Sequence, residues 1–225
     1  MNKIKQQLGK EAALLVQSDT TIGIGSGSTV FFFIEALAQR VASGLKCLSV
    51  PTSEQSRLLA HQNGIATVTL NDVDEIVLTI DGADEIDPQL QLIKGGGGAL
   101  LQEKMVAAAS KQLIIIADNS KLVSQLGSFP LPIEVVPYGW KQVQHYIQKM
   151  YSIRCELRIK NNETYITDHR HYILDCHFQR ITDLVNLNNE LHQIPGLIET
   201  GLFINMADMA IIGYPDGTIK QFNRR

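Results

Sequence analysis

The stretch EIVLTIDGADEID, Glu75 to Asp87, joins an apolar run of strand length to a cluster of carboxylates. A short apolar run bounded by turn residues is the pattern of a strand buried on both faces, as in a parallel sheet. Ligands of open α/β sheets bind beyond the carboxyl ends of such strands. Asp81 stands at that end. Gly82 lets the chain turn so that Asp84, across Ala83, faces the same space, whereas Glu85 and Asp87 are expected to face solvent. The plainer alternative is a solvated acidic turn, and position at the strand end argues against it.

Outward from this strand, apolar runs alternate with helical periods from the start of the chain to about residue 130. The expected strands are TTIGIG, LKCLSVPT, ATVTL, EIVLTID and QLIIIAD. The expected helices are 29–43, 53–63 with Ser53 as N-cap, and 99–110. Such alternation predicts parallel strands linked by right-handed helical crossovers. Pro130, Pro132 and Pro137 crowd FPLPIEVVPYGW, and we place a boundary there. Beyond it, a helix over 138–150, strand-like IRCELRI, TYIT, YILDCHF and GLIETGLF, and a helix over 183–192 suggest a smaller α+β domain. MADMAIIGYPDG is expected to return to the first sheet. The expected division is 1–130 plus 206–225 for the α/β domain and 131–205 for the small one.

The 225 residues are 44% hydrophobic and 19% charged, the range of an ordinary globular chain with a sizeable core. Net charge is −3 and the 20 Lys and Arg residues are scattered, so no basic stripe for nucleic acid is present. Cys47, Cys155 and Cys176 suit neither a disulfide framework nor a zinc site and are read as reduced core thiols. No apolar run has the length of a membrane span, and a cytoplasmic protein is expected. His169 and His171 belong to no recognisable ligand set.

Three further motifs can carry chemistry. GIGSGSTV places Ser26, Gly27, Ser28 and Thr29 between a strand and a helix, where free N–H groups and hydroxyls suit a phosphate. It lacks the third glycine of the dinucleotide fingerprint and the GK[ST] of a P-loop. LIKGGGGALLQEKM costs backbone entropy at four consecutive glycines, which a backbone wrapped around a ligand explains. Lys94 opens that run, Gly95, Gly96 and Gly97 follow, and Glu103 lies about one turn into the next helix. A cation beside a developing oxyanion and a carboxylate placed for proton abstraction form an acid–base pair. Lys121, after the strand QLIIIAD, adds a compact positive charge. Paired carboxylates without a nearby third ligand give no metal site.

In this order GIGSGST, VPTS, TIDGADEID, KGGGGALLQEK, ADNSK, FPLPIEV and IPGLIETGLF resemble the type A ribose-5-phosphate isomerases over nearly the whole chain. The resemblance implies a Rossmann-like α/β domain with a smaller α+β domain, and interconversion of ribose 5-phosphate and ribulose 5-phosphate without metal or other cofactor. By resemblance Glu103 is the base that moves a proton between C1 and C2 through an enediolate, and Lys94 stabilises the enediolate oxygen. Asp81 and Asp84 orient sugar hydroxyls and assist ring opening. The loops 26–29, 81–84 and 94–97 and Lys121 grip the substrate, with the 5-phosphate taken by hydroxyl and cationic donors. The family is commonly dimeric or tetrameric, and a homodimer is expected. One departure is TDHRH at 167–171, where many members read TDNGN. A sugar-phosphate-sensing module is the main alternative, but it has no need of a base spaced as Glu103 is from Lys94. A nucleotide-dependent oxidoreductase would want an acidic residue where VPTS stands, and an acyl transferase with a covalent glutamate would depend on a thioester.

Overall fold

The computed structural model describes residues 2–224. In chain order the elements are α1 (Asn2–Leu14), β1 (Thr20–Ile24), α2 (Ser28–Ala42), β2 (Cys47–Pro51), α3 (Glu54–Gln62), β3 (Leu78–Asp81), β4 (Glu85–Ile86), β5 (Leu92–Ile93), α4 (Leu100–Ala108), β6 (Leu113–Asp118) and β7 (Leu131–Val135). They continue with α5 (Trp140–Tyr151), β8 (Cys155–Leu157), β9 (Ile159–Lys160), β10 (Glu163–Thr164), β11 (Tyr172–Cys176), α6 (Leu184–His192), β12 (Leu197–Thr200), β13 (Leu202–Phe203), β14 (Met209–Gly213) and β15 (Ile219–Asn223).

The main sheet has the order β15-β14-β6-β3-β1-β2. Its pairings are parallel except for the antiparallel hairpin of β14 with β15. Strand β6 shows why its sequence is apolar throughout. Ile114 and Ile116 enter the core under α1 and α2, while Leu113, Ile115 and Ala117 enter the core on the opposite face. Helix α2 buries Val30, Phe33, Ile34 and Leu37, one stripe at helical spacing. Each such side chain contributes roughly 1.5–3 kcal/mol on burial. Because β1 leads outward to β2 in one direction and has β3 on its other side, the strand order reverses between β1 and β3. Their carboxyl ends therefore open a crevice at a switch point of the sheet.

A second, antiparallel sheet has the order β12-β7-β11-β8, and β13-β5-β4 forms a short third one. Strands β12 and β13 are separated only by Gly201 yet belong to different sheets, which ties the second sheet to the third. Among the described residues no helix is long and apolar enough to cross a membrane.

Several expectations need correction. ATVTL is not a strand: it makes a single parallel bridge, Ser49 to Thr67, and then enters a 3-10 turn at Leu70–Asp72 capped reciprocally by Thr69 and Asp72. FPLPIEV, where the boundary is placed, forms β7 inside the second sheet. Pro132 is tolerated there: its carbonyl accepts from Gly201 N, just past β12, so its missing N–H falls where that partner strand has ended. Cys47 is only half-buried, unlike Cys155 and Cys176.

Glu85 and Asp87 face inward, at 3% and 9% exposure. Glu85 accepts from Gly127 N at 2.7 Å and Phe129 N at 2.6 Å, pinning the loop that precedes β7. Glu85→Ala strands those two amides and is expected to cost about 2–4 kcal/mol. Urea unfolding measures it, and a loss within 0.5 kcal/mol, the ordinary effect of a surface substitution, would contradict the assignment.

Candidate active site

The crevice between the ends of β1 and β3 is a cleft of about 220 Å³. Its walls come from the loop after β1, the turn after β3, the glycine loop before α4, and the end of β6. At its base lies Lys94, 2% exposed. Its Nζ donates to Gly82 O at 2.6 Å and lies 3.0 Å from Asp81 Oδ2 and 3.5 Å from Glu103 Oε1. Phe203 covers the ammonium from one side, with its ring centroid at 5.5 Å.

Asp81 is equally buried. Its Oδ1 accepts from Gly82 N at 2.7 Å and Ser26 N at 3.1 Å, while its Oδ2 has the ion pair with Lys94 but no aligned hydrogen bond. A methyl group on Gly25 would overlap this carboxylate, so the close approach of the two loops requires glycine there.

Glu103 sits in the first turn of α4 with Oε2 buried and unpartnered. Burial raises its pKa to about 8; Lys94 opposes the shift, and Asp81 and Asp84 add to it. The Lys94 ammonium is driven the other way by burial, but Asp81 and Glu103 outweigh that and hold its pKa above the ordinary lysine value. One cation is thus shared between two buried carboxylates.

The phosphate-type loop is organised by a hydroxyl cluster. Ser26 Oγ lies 2.9, 2.7 and 3.0 Å from the hydroxyls of Thr52, Ser53 and Ser56, and Ser56 Oγ donates to Gly25 O at 2.6 Å. Ser53 is the expected N-cap of α3, accepting from Ser56 N at 3.1 Å. With the Ser26 side chain tied into the wall, Ser28 and Thr29 at the start of α2 are left at the cleft.

The cleft collects Ser26, Gly27, Ser28, Thr29, Gly82, Ala83, Asp84, Lys94, Gly95, Gly97, Glu103 and Lys121 from the residues marked in the sequence. Asp81 and Gly96 lie behind this wall: Asp81 on Lys94, and Gly96 with its N–H on Asp84 Oδ2 at 2.7 Å. Sequence reasoning missed Lys5, Gln55, Tyr165 and Asp168, which also line the cleft. Lys5 reaches it from α1 and donates to Ser28 Oγ at 2.8 Å. Asp168, in the departing TDHRH segment, accepts from Glu54 N at 2.8 Å. Lys5, Gln55 and Tyr165 carry no local motif, and TDHRH marks Asp168 only as part of a departing turn. His171 serves the same segment structurally, lying 2.9 Å from the buried Glu134.

A family model described as Ribose 5-phosphate isomerase A (phosphoriboisomerase A) matches residues 48–217. The chain belongs to the ribose 5-phosphate isomerase A family. A ribose-5-phosphate isomerase A of Bacillus cereus (strain ATCC 10987 / NRS 248) is 54% identical over 217 residues, covering 95% of this chain and 97% of the relative. The ribose 5-phosphate isomerase structure from Plasmodium falciparum superposes with a TM-score of 0.97 at 39% identity, covering 100% of both chains. A D-ribose-5-phosphate isomerase solved in complex with phospho-erythronic acid gives a TM-score of 0.95 at 38% identity over 99% of both chains. As a member of that family, the chain is an aldose–ketose isomerase acting on a pentose phosphate, and its Rossmann-like sheet with smaller antiparallel sheets is the fold of those structures.

Proposed function

We propose that isomerisation of D-ribose 5-phosphate to D-ribulose 5-phosphate runs through an enediolate, with Glu103 as the base. The observation that carries this reading is a buried carboxylate with one free oxygen, beside a buried ammonium, in a cleft lined by hydroxyls and lysines. Glu103 in its ionised form takes the proton from C2 of the open-chain aldose, and the C2 electron pair moves into the C1–C2 double bond, leaving the negative charge on the former carbonyl oxygen. Lys94 donates to that oxygen. The O2 hydroxyl proton then moves to O1, and as Glu103 returns its proton to C1 the O2 electron pair closes the C2 carbonyl, giving the ketose.

Asp81 acts through Lys94, keeping the ammonium charged and aimed, while Asp84 orients sugar hydroxyls. Thr29, Ser28, Lys121 and Lys5 take the 5-phosphate, assisted by the N–H groups at the start of α2. Anchoring the unreactive end places C1 and C2 against Glu103, so part of the binding energy serves the chemical step. The phospho-erythronic acid bound by the relative supports this reading, since it couples a phosphate to an anionic planar carboxyl group.

The test is an assay in heavy water without added metal or nucleotide. Solvent deuterium is expected at C1 of ribulose 5-phosphate and, on return, at C2 of ribose 5-phosphate. Product free of solvent label at both carbons after full equilibration would replace the enediolate with a hydride shift.

A pH dependence follows from the raised Glu103 pKa. Only the ionised carboxylate can take the C2 proton, so kcat/KM is expected to rise with pH and level off above about 8. That apparent value belongs to the coupled carboxylates and ammonium together. A profile flat from well below to well above that value would contradict the assignment.

A further inference from the structure

The glycine loop is held from behind by the small antiparallel elements. Arg158, between β8 and β9, donates through Nη1 to Gly95 O at 2.8 Å and to Gly96 O at 3.2 Å. Its Nε donates to Asp175 Oδ2 on β11 at 2.9 Å, and Nη2 completes the fork on Oδ1. Tyr165 donates to Gly97 O at 3.1 Å. Its ring occupies the space a side chain on Gly98 would need, and the Arg158 guanidinium lies 6.0 Å from the ring centroid. Three consecutive carbonyls are therefore taken by side chains from a distant part of the chain.

In a trans peptide the C=O and N–H point in opposite directions. Fixing the carbonyls of Gly95 and Gly96 on Arg158 turns the amides of Gly96 and Gly97 the other way. The Gly96 amide meets Asp84 Oδ2 at 2.7 Å, and the Gly98 amide closes a turn on Gly95 O at 3.0 Å. The Gly97 amide has no partner among the described residues, and Gly97 lines the cleft with Lys94 and Glu103. A run of four glycines would otherwise sample many conformations, because nothing local restricts it.

We propose that Arg158, locked by Asp175 and joined by Tyr165, is a positioning residue for the isomerisation: it presets the Gly97 amide and Asp84 for the enediolate. The inference rests on the enediolate reading above. A donor fixed in advance stabilises the anion without reorganising as the charge develops, whereas a donor on a loose glycine loop must first be ordered. Arg158 touches neither substrate nor reacting atoms and acts through the loop.

The test compares wild type, Arg158→Lys and Tyr165→Phe by kcat, KM and the affinities of two probes. Phospho-erythronic acid carries an anionic carboxyl group at the reacting end, and ribitol 5-phosphate carries a neutral alcohol there. Lysine keeps the charge but cannot serve Asp175 and two carbonyls from one planar fork. For Arg158→Lys we expect kcat and phospho-erythronic acid affinity each to fall by about tenfold or more, with KM and ribitol 5-phosphate affinity within about threefold of wild type. Tyr165→Phe is expected to move the same two quantities in the same direction by a smaller factor, and it decides alone if the lysine variant does not fold.

Unchanged kcat and probe affinities in the folded variants would overturn the proposal. So would equal weakening of both probes, which is what a merely structural role gives. If wild type itself binds phospho-erythronic acid no more tightly than ribitol 5-phosphate, it is the enediolate reading that fails, and the clamp falls with it.

Discussion

Replacing Glu103 with glutamine is expected to lower kcat by about 10²–10⁴-fold, the span that a positioned acid or base supplies. Folding should survive, and above pH 8 the variant should be at least as stable as the wild type. The reason is linkage. In the folded protein the Glu103 pKa is about 8, against an ordinary value of 4.5. The native state therefore holds this proton more tightly than the unfolded chain does across that window. The stability Glu103 contributes is fully present below pH 4.5 and is lost as pH rises through about 8. Glutamine keeps the shape of the protonated acid at every pH and escapes that loss.

Two measurements check this expectation: turnover of ribose 5-phosphate, and thermal unfolding of both proteins at pH 6 and pH 9. Near-normal turnover would remove Glu103 from its role. A glutamine variant that is less stable at the higher pH would mean that the ionised carboxylate is well accommodated, and the burial argument for its raised pKa would fail. On the proposed mechanism, the raised pKa also suits a carboxylate to this position. A base with a pKa near that of the working solution keeps enough ionised form to react and enough affinity for the proton to hold it in transit.

The parts of this site that were legible in the sequence are those encoded within a few residues. TIDGADE and KGGGGALLQE each place strand end, turn and functional group in one continuous stretch, so strand period and glycine spacing locate Asp84, Lys94 and Glu103 without tertiary knowledge. The β6 run was equally clear because both of its faces are buried. ATVTL misled because its alternation is real but only one residue reaches the edge of β2 before Thr69 and Asp72 cap a turn. Strands β4 and β5 are two residues each, too short for any period to show.

The remaining groups around the cleft and its glycine loop arrive by packing. Lys5 reaches Ser28 because α1 lies against α2, and on its own helix it is one more partly exposed lysine. Arg158 and Tyr165 meet the glycine loop from more than 60 positions away. The inward turn of Glu85 was hidden for a similar reason: the amides it satisfies are those of Gly127 and Phe129, over 40 positions further along. An acidic residue in a charged loop reads as solvated until its partners are known.

Replacing Lys94 with methionine is the change expected to affect both activity and folding most. Methionine fills much of the volume of the lysine stem but donates nothing to the enediolate oxygen, and loss of one such donor lowers kcat by about 10²–10³-fold. It also leaves Asp81, 1% exposed, without its cation. Breaking a buried ion pair from one side costs about 3–5 kcal/mol, because the remaining charge stays desolvated. The Lys94 charge is the main influence holding the Glu103 pKa down against burial. Its removal should therefore move the acid limb of kcat/KM to higher pH.

These effects can be separated. Adding Asp81→Asn to the methionine variant removes the stranded charge, so part of the lost stability should return in urea unfolding, while kcat stays low because the donor is still missing. Recovery of turnover together with stability would mean that Lys94 acts only by holding the fold. An acid limb that stays in place in the single variant would separate Glu103 electrostatically from Lys94, despite the 3.5 Å between them. With the donor lost, the charge stranded and the base harder to ionise, this one substitution tests whether the buried carboxylates and the ammonium work as a single unit.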